Sequence, residues 1–584
     1  MGRRCPSNHA FGQLSSYLCC RQSMRQCCRP TSRAKIFAPR RWLSSAAGHY
    51  DNRVAVIGAG ITGLSAAYHL SQNKSTHVTL YEKSPRLGGW LQSETIEVLG
   101  GKVVFEYGPR TIRVSPWETV PTLSLINDLN IGSDKVQIKK TSPIARNRYI
   151  YYPDRLIRIP GSLADPIGRT IWGAMLRDIS YDLFHSRRVR DSDFDESVAS
   201  FVSRRVGQAA ADNIVSAAMH GIYAGDIDQL SARALLAPIW ELQFQGRGGL
   251  LWEHFHRRIQ GKRFYLHDVR QYVSLASPDK GPNQISMYAA EASYFSILMM
   301  KHGMGQITSA LESSLRSAHN VTICTGVQIE QISMPRNKNG MNVKLAGSTT
   351  SQFDNVISST PSSALAKQLR SGTTTPTLTT KSIIQTLEAN NSAVSVMVVN
   401  LFYKSPELVP VKGFGYLIPR SIPFGQNPER ALGVIFGNGF PEQDTVYGTK
   451  LTVMLGGHWW NGWDEADFPD ELSGIEMAKT LLQRHLGIIE EPLVAKARLQ
   501  RDAIPQYTVG HVTRMQDLVK GLTQEFYGKL NVAGAWYSGV GINDCTRAGY
   551  MAASTILDGS NHISPLVYRY LHNDGEMGTY VGRA

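Results

Sequence analysis

Residues 1–50 contain no aspartate or glutamate; the first acid of the chain is Asp51. The same stretch holds nine bases, Arg3, Arg4, Arg21, Arg25, Arg29, Arg33, Lys35, Arg40 and Arg41. Subtracting 9 from the formal net charge of +15 leaves +6 for all that follows. A segment without acids, rich in arginine and serine and without a continuous apolar core, reads as a mitochondrial presequence, with cleavage expected near Ser44 or Ser45. A basic tail for nucleic acid is the alternative; the presequence reading is the one adopted, and no nucleic-acid partner is expected. Cysteine is scarce too. Cys5, Cys19, Cys20, Cys27 and Cys28 fall in the presequence, and the two left, Cys324 and Cys545, are too few for a disulfide framework. No histidine cluster accompanies the paired cysteines, so no metal site is expected. Nor is there a run of roughly 18 apolar residues, which argues against a spanning helix and leaves contact with a membrane surface open.

The rest has the balance of a globular protein, 42% hydrophobic and 19% charged over 584 residues, and predicts two or three domains. Arg53 to Ile57 is a short apolar strand that Gly58-Ala59-Gly60 interrupts. Ile61 to Leu70 follows with helical spacing, and Val78 to Tyr81 is a second strand. This strand–turn–helix–strand order implies a parallel sheet. Residues 150–260 read as largely helical, with basic and apolar positions mixed, as on a solvated helix or on one lying along a membrane. Residues 320–332, 341–360, 393–403 and 451–456 read as strands, and the threonine-rich 371–380 as a loop.

Gly58-Ala59-Gly60-Ile61-Thr62-Gly63 is a G-x-G-x-x-G string placed after a strand, opening a helix, with an acid at Glu82 past the second strand. That context makes it a dinucleotide site. Gly58 permits the turn, Gly60 lets backbone approach a pyrophosphate, and Gly63 lets helix and strand pack closely. The helix N-terminus offers N–H donors to the phosphates. Glu82 would accept ribose hydroxyls, and its charge disfavours the 2′-phosphate of NADP. A second strand-bounded string is missing: Gly437-Asn438-Gly439 lacks both the third glycine and the acid. A separate NAD site is therefore not expected, and electrons should pass to oxygen or another small acceptor. Near the C-terminus, Asn531 to Ala535, the glycine-rich Ser538 to Ile542 and a helix from about Asp544 offer a second helix N-terminus with open backbone amides, suited to an anionic group.

Arg86-Leu87-Gly88-Gly89 resembles the R-x-G-G element of the FAD-binding monoamine oxidase superfamily. Seven further runs narrow the resemblance to the protoporphyrinogen oxidases of mitochondria. They are Tyr107-Gly108-Pro109-Arg110, Gly221 to Gly225, Gly413 to Tyr416, Phe440 to Asp444, Val453 to Gly457, Ile504 to Tyr507 and Gly541 to Cys545, and the likeness spans residues 53 to about 560. The chain departs from the pattern at His302-Gly303-Met304-Gly305 and after Asn438.

The resemblance implies an α/β fold: a Rossmann-like FAD domain of the p-hydroxybenzoate hydroxylase type, a mixed-sheet substrate domain and a helical membrane-binding domain. It divides the chain as presequence 1–50, FAD domain 51–115, 298–375 and 525–584 (with a C-terminal tail), substrate domain 116–149, 246–297 and 376–524, and helical domain 150–245. It implies one non-covalent FAD per chain, touched by Gly58, Ala59, Gly60, Ile61, Thr62, Gly63, Glu82, Lys83, Trp90, Gly108, Pro109, Arg110, Thr111, Val327, Ala535, Val540, Gly541 and Ile542. The reaction implied is the six-electron oxidation of protoporphyrinogen IX to protoporphyrin IX in haem biosynthesis, with three O2 reduced to peroxide. The place implied is the intermembrane face of the mitochondrial inner membrane, as a peripheral protein, with ferrochelatase and a second copy of the chain as candidate partners. For the substrate, Arg148 would pair a propionate, Leu417 and Met454 would sandwich pyrrole rings, and the Gly221 carbonyl would face ring nitrogens.

A flat tetrapyrrole with two carboxylates needs an apolar slot with a cation at its mouth. Arg148, among Tyr149, Tyr151 and Tyr152, suits a carboxylate clamp, while a plain surface arginine is the bland reading. Arg110 is a second candidate anion contact, though its place after Gly108-Pro109 suits a structural turn. Flavin N5 is the expected hydride acceptor, and no residue stands out as a catalytic base. Two other readings share the fold: a flavin amine oxidase or carotenoid-type desaturase, and a non-enzymatic binder similar to Rab GDP-dissociation inhibitors. The run Tyr537 to Val540 lacks the cysteine of covalent amine oxidases, and Glu82 with the presequence weighs against a carrier.

Overall fold

The structure is a computed structural model. It describes residues 50–159, 194–237, 239–240, 282–348, 350–373, 375–437 and 442–557. Residues 1–49 of the expected presequence, the C-terminal tail, residues 160–193 and 241–281 of the expected helical and substrate regions, and Asn438 to Pro441 lie outside the described residues.

Two sheets carry the site. In chain order their strands and flanking helices are β1 (Asn52–Ile57), α1 (Ile61–Ser71), β2 (Thr76–Glu82), β3 (Arg148–Tyr151), β4 (Leu156–Ile159) and α2 (Ser216–Tyr223). Then come β5 (Val321–Thr325), β6 (Asn355–Ser358), β7 (Ala393–Tyr403), β8 (Gly415–Leu417), β9 (Ala431–Phe436), β10 (Thr449–Gly456), α3 (Glu471–Leu486), β11 (Val494–Pro505), β12 (Leu530–Val532) and α4 (Ile542–Leu557).

The first sheet has the order β5-β2-β1-β6-β12, and every pairing in it is parallel. Strands covered on both faces read as unbroken apolar runs. Val54, Ala55 and Val56 of β1 are accordingly fully buried. α1 connects β1 to β2 and packs on α4 so closely that a Cβ on Gly549 would lie 2.4 Å from the Thr62 carbonyl oxygen. The Ser65 hydroxyl donates to the Thr546 carbonyl across that contact, at 3.0 Å. Segments near the two ends of the described residues therefore meet over one sheet.

The second sheet has the order β11-β7-β10-β9-β8-β3-β4 and is antiparallel except between β8 and β3. Register aligns Ile150, Leu417, Gly433, Met454 and Val398 in one row across five strands. Side chains in such a row share a face. The opposite face, with Tyr416, Val434, Val453 and Val399, is buried with Leu481 and Leu482 of α3. On the row's own side, Ile150 and Leu417 pack with Ala217 of α2.

The structure corrects two expectations. Residues 150–159 are not helical: β3 and β4 form the edge of the second sheet, and the described helices of this region start at Val198. Leu156-Ile157-Arg158-Ile159 alternates, with Ile157 buried and Arg158 exposed, a period of two that the surrounding basic stretches masked. Residues 371–380 are a loop only in part, because Thr377 caps the helix Leu378–Ala389 by accepting from the Thr380 N–H at 2.9 Å. Threonine there is a helix start signal, not loop composition. That helix and His511–Phe526 share a core with Ile329, Val343 and Leu530, so the stretch 376–524 serves both sheets. Among the described residues no helix is long and apolar enough to cross a membrane.

Candidate active site

The glycine string lies at the end of β1, and each glycine has its own physical reason. Gly58 has φ of +94°, a conformation that side chains resist. A Cβ on Gly63 would lie 1.9 Å from the Gly58 carbonyl oxygen, so helix and turn touch only because it is absent. A Cβ on Gly60 would meet nothing within 4 Å; the space it faces is left for something else. No side chain caps α1 and no acid sits in its first turn, so the amides there stay available to an anion.

Glu82, at the end of β2, accepts from the Ala59 N–H and from the Ser84 N–H, both at 2.8 Å. It ties the glycine turn to β2, and each oxygen keeps a lone pair for a ribose hydroxyl. Val327 is drawn to the same place, its N–H donating to the Glu82 carbonyl at 2.9 Å. Gly88 donates to the Ala59 carbonyl at 2.8 Å and bridges Gly60. Arg86 donates to the carbonyls of Leu87 at 2.8 Å, Leu91 at 3.3 Å and Gly89. The Arg-Leu-Gly-Gly segment is thus a second layer over the glycine turn. Gly108 packs on it in turn, where a Cβ would lie 1.8 Å from the Trp90 carbonyl oxygen.

At the other chain end, a Cβ on Gly534 would lie 3.2 Å from the Thr62 hydroxyl, which places the Ala535–Ile542 turn beside α1. The Tyr507 hydroxyl fixes that turn, donating to the Ala535 carbonyl and accepting from the Gly539 N–H, each at 2.6 Å. Asn543 accepts from the Thr122 hydroxyl at 2.8 Å and donates to the Arg113 carbonyl at 3.0 Å. Of the residues proposed from sequence, the glycine turn, Glu82, Val327 and Gly108 lie together and the Ala535–Ile542 turn beside them, whereas Lys83 and Arg110 do not join them. Lys83 is exposed at the end of β2. Arg110 sends its guanidinium away into the core, donating to the Thr452 hydroxyl at 2.9 Å. Its neighbours Pro109 and Thr111 stay at the surface or half-buried.

Arg110 belongs to a buried charged group at β10 of the second sheet. The Glu106 carboxylate accepts from the Met304 N–H at 2.7 Å and the Ser93 hydroxyl at 2.6 Å. Burial pushes this carboxyl up to about 7 despite those bonds. Lys450 pairs with Asp444 at 2.5 Å, and burial, followed by the nearby Arg110, brings its ammonium down to about 8.

On the second sheet, Leu417 and Gly221 are in contact: a Cβ on Gly221 would lie 2.8 Å from a Leu417 methyl. Gly433 leaves room beside Leu417, and Met454 follows in the same row. Three of the four proposed substrate residues thus form one wall. Arg148 stands beyond it on the same strand as Ile150, its guanidinium 5.2 Å from the centre of the Phe414 ring. Its head group is held by a 3.4 Å bond to the Ile144 carbonyl alone among the described residues, and Arg113 is near enough to act on it electrostatically.

Sequence reasoning missed Tyr507, Asn543 and Arg113 as parts of the site. Each lies inside or next to a run quoted for the resemblance, but no spacing rule singles it out. It also missed a contact between His220 and His458, whose Nε2 atoms are 2.9 Å apart. Nothing in one sequence signals a pair 238 positions apart.

Comparison with known proteins bears on this arrangement. The family model described as flavin containing amine oxidoreductase matches residues 61–557. A protoporphyrinogen oxidase of Schizosaccharomyces pombe is 32% identical over 511 residues, covering 86% of this chain and 97% of that protein. One of Homo sapiens is 31% identical over 522 residues, covering 86% and 98%. Among solved structures, a reduced UDP-galactopyranose mutase superposes with a TM-score of 0.59 at 14% identity, covering 90% of this chain and 97% of that one. The last likeness is one of fold alone, since one fold hosts many chemistries.

Proposed function

This chain belongs to the flavin-containing amine oxidoreductase family and, within it, to the protoporphyrinogen oxidases, and we propose that it oxidises protoporphyrinogen IX to protoporphyrin IX in haem biosynthesis, passing six electrons to three O2. One observation carries the reading. An uncapped helix N-terminus over an open glycine has a carboxylate at its side, and Tyr507, which fixes the turn beside that helix, lies 6.2 Å ring to ring from Tyr223 of α2, next to an apolar wall with an arginine on its strand. The first half suits a dinucleotide and the second a flat dicarboxylate.

The flavin is FAD, one per chain. The α1 amides and Gly60 would take its pyrophosphate and Glu82 its ribose, while the turn at Ala535–Ile542 with the α4 amides would lie against the ring. Bound there, FAD would supply the hydride acceptor, with O2 as the final acceptor. It is held non-covalently: Cys545, the cysteine of that turn and helix, is buried, and burial drives its thiol up to about 12, far from a nucleophilic thiolate. The chain's own work is to bind and orient. Leu417 and Met454 would lie on the faces of the tetrapyrrole, the Gly221 carbonyl would accept from ring N–H groups, and Arg148 would grip a propionate. The apolar wall would exclude water around the reacting carbon.

The same proposal places the enzyme on the intermembrane face of the mitochondrial inner membrane, after cleavage of the presequence near Ser44 or Ser45, as a peripheral protein. Phe194, Ile222 and Ile239, 41%, 52% and 46% exposed, support contact of this part of the chain with lipid. Ferrochelatase, which would take the product, and a second copy of the chain are the partners proposed. The test is anaerobic: protoporphyrinogen IX should bleach the flavin absorbance of the purified protein, and benzylamine should leave it unchanged. Bleaching by the amine alone would make the protein an amine oxidase.

A further inference from the structure

The pair His220 and His458 lies behind the proposed substrate wall, and three of its segments meet there. His220 precedes Gly221, its ring partner Ile418 follows Leu417, and His458 is on the turn after Met454. His220 Nδ1 is 2.7 Å from the Ile418 carbonyl oxygen. A carbonyl only accepts, so Nδ1 carries the hydrogen and Nε2 of the neutral ring is a lone pair. His458 Nε2, 2.9 Å away, must then be the donor. This fixes both tautomers: a hydrogen-bond chain runs from His458 through His220 to Ile418. The His458 backbone N–H donates to the Ala224 carbonyl at 2.8 Å, closing the loop onto the end of α2. The turn can approach this far because Gly457 has no Cβ, which would sit 2.4 Å from the same oxygen. Trp459 packs against both rings, its centroid 4.1 Å from His458 and 5.7 Å from His220.

We propose that His220 and His458 are positioning residues that, through their shared hydrogen bond, hold Gly221, Leu417 and Met454 in the register a tetrapyrrole requires. His220 is only 2% exposed, so it acts through its neighbours and not on the substrate. Both imidazoles are neutral near pH 7. Burial brings each down to about 4, helped at His220 by the facing His458 and at His458 by Arg420 and Arg430, against the opposing carboxylate of Asp228. A proton added to His220 would set two N–H groups against each other, whereas His458 Nδ1 takes one without breaking the bond.

This inference rests on the proposed function, and the test separates the two. His458→Leu keeps bulk but removes the donor, and His458→Gln keeps an N–H near the same place. In the Leu variant KM for protoporphyrinogen IX should rise about tenfold, the scale of one buried hydrogen bond. In the Gln variant the rise should stay within about threefold, with kcat at saturation and flavin content unchanged in both. Amide hydrogen exchange should quicken together in residues 216–224, 416–420 and 456–460 of the Leu variant, recover in the Gln variant, and stay unchanged in α1 and β1. An unaltered KM in the Leu variant, a Gln variant as impaired as Leu, or a loss of kcat with KM unmoved would overturn the assignment. If the wild-type protein formed no protoporphyrin, the function would fall, while the exchange pattern would still decide whether the pair couples the three segments.

Discussion

At the scale of single residues, two glycines three positions apart should respond in opposite ways. A side chain on Gly63 collides with the Gly58 carbonyl, whereas one on Gly60 enters open space. Gly63→Ala should therefore lower the melting temperature and the yield of folded protein. Gly60→Val should leave the fold intact but give a colourless protein, read by circular dichroism and absorbance together. Flavin retained in full by Gly60→Val would refute the pyrophosphate role. Arg148→Ala should weaken substrate binding by about 1.5–3 kcal/mol, the range for a charged hydrogen bond, with flavin retained. Unchanged affinity would return Arg148 to the surface. The glycine roles were legible because the string ties each residue to a backbone need. The orientation of Arg110 was not, since Thr452 lies 342 positions away and only the folded chain brings them together.

At the scale of elements, β1, α1 and β2 were readable because their periodicity is local, and the observed bounds differ from the expected ones by two residues at most. β3 and β4 were not, because their four-residue lengths carry too little pattern beside long basic stretches. The elements were also legible in isolation only. The row Ile150–Leu417–Gly433–Met454–Val398 exists through register, which no window of sequence contains. The turn before α4 offers an element-scale test. One hydroxyl, that of Tyr507, serves both its Ala535 carbonyl and its Gly539 N–H. Tyr507→Phe should loosen the turn and weaken flavin binding by about 1–2 kcal/mol, two modest hydrogen bonds exchanged for a dry ring. Titration of the apoprotein with FAD measures it, and an unchanged dissociation constant would show the turn to be rigid without that tyrosine.

At the scale of the whole molecule, the buried charges around Glu106 couple stability to pH. Glu106 titrates near 7 in the folded chain and near 4.5 in its ordinary state. Between those values the folded state holds a proton that the unfolded state has lost, so raising the pH through this window removes stability. The melting temperature should fall from pH 5 to pH 7, and Glu106→Gln should flatten that fall. An identical fall in the variant would assign the dependence to other groups. One surface built from segments near both ends of the described residues and one wall of the second sheet together make an oxidase. The most direct test is aerobic turnover of protoporphyrinogen IX by the purified flavoprotein, following porphyrin fluorescence and peroxide at once. The account predicts enzyme-dependent protoporphyrin with about three peroxides for each porphyrin, as six electrons passed in pairs to O2 require. A protein with its flavin in place that forms no protoporphyrin above the uncatalysed rate would contradict it.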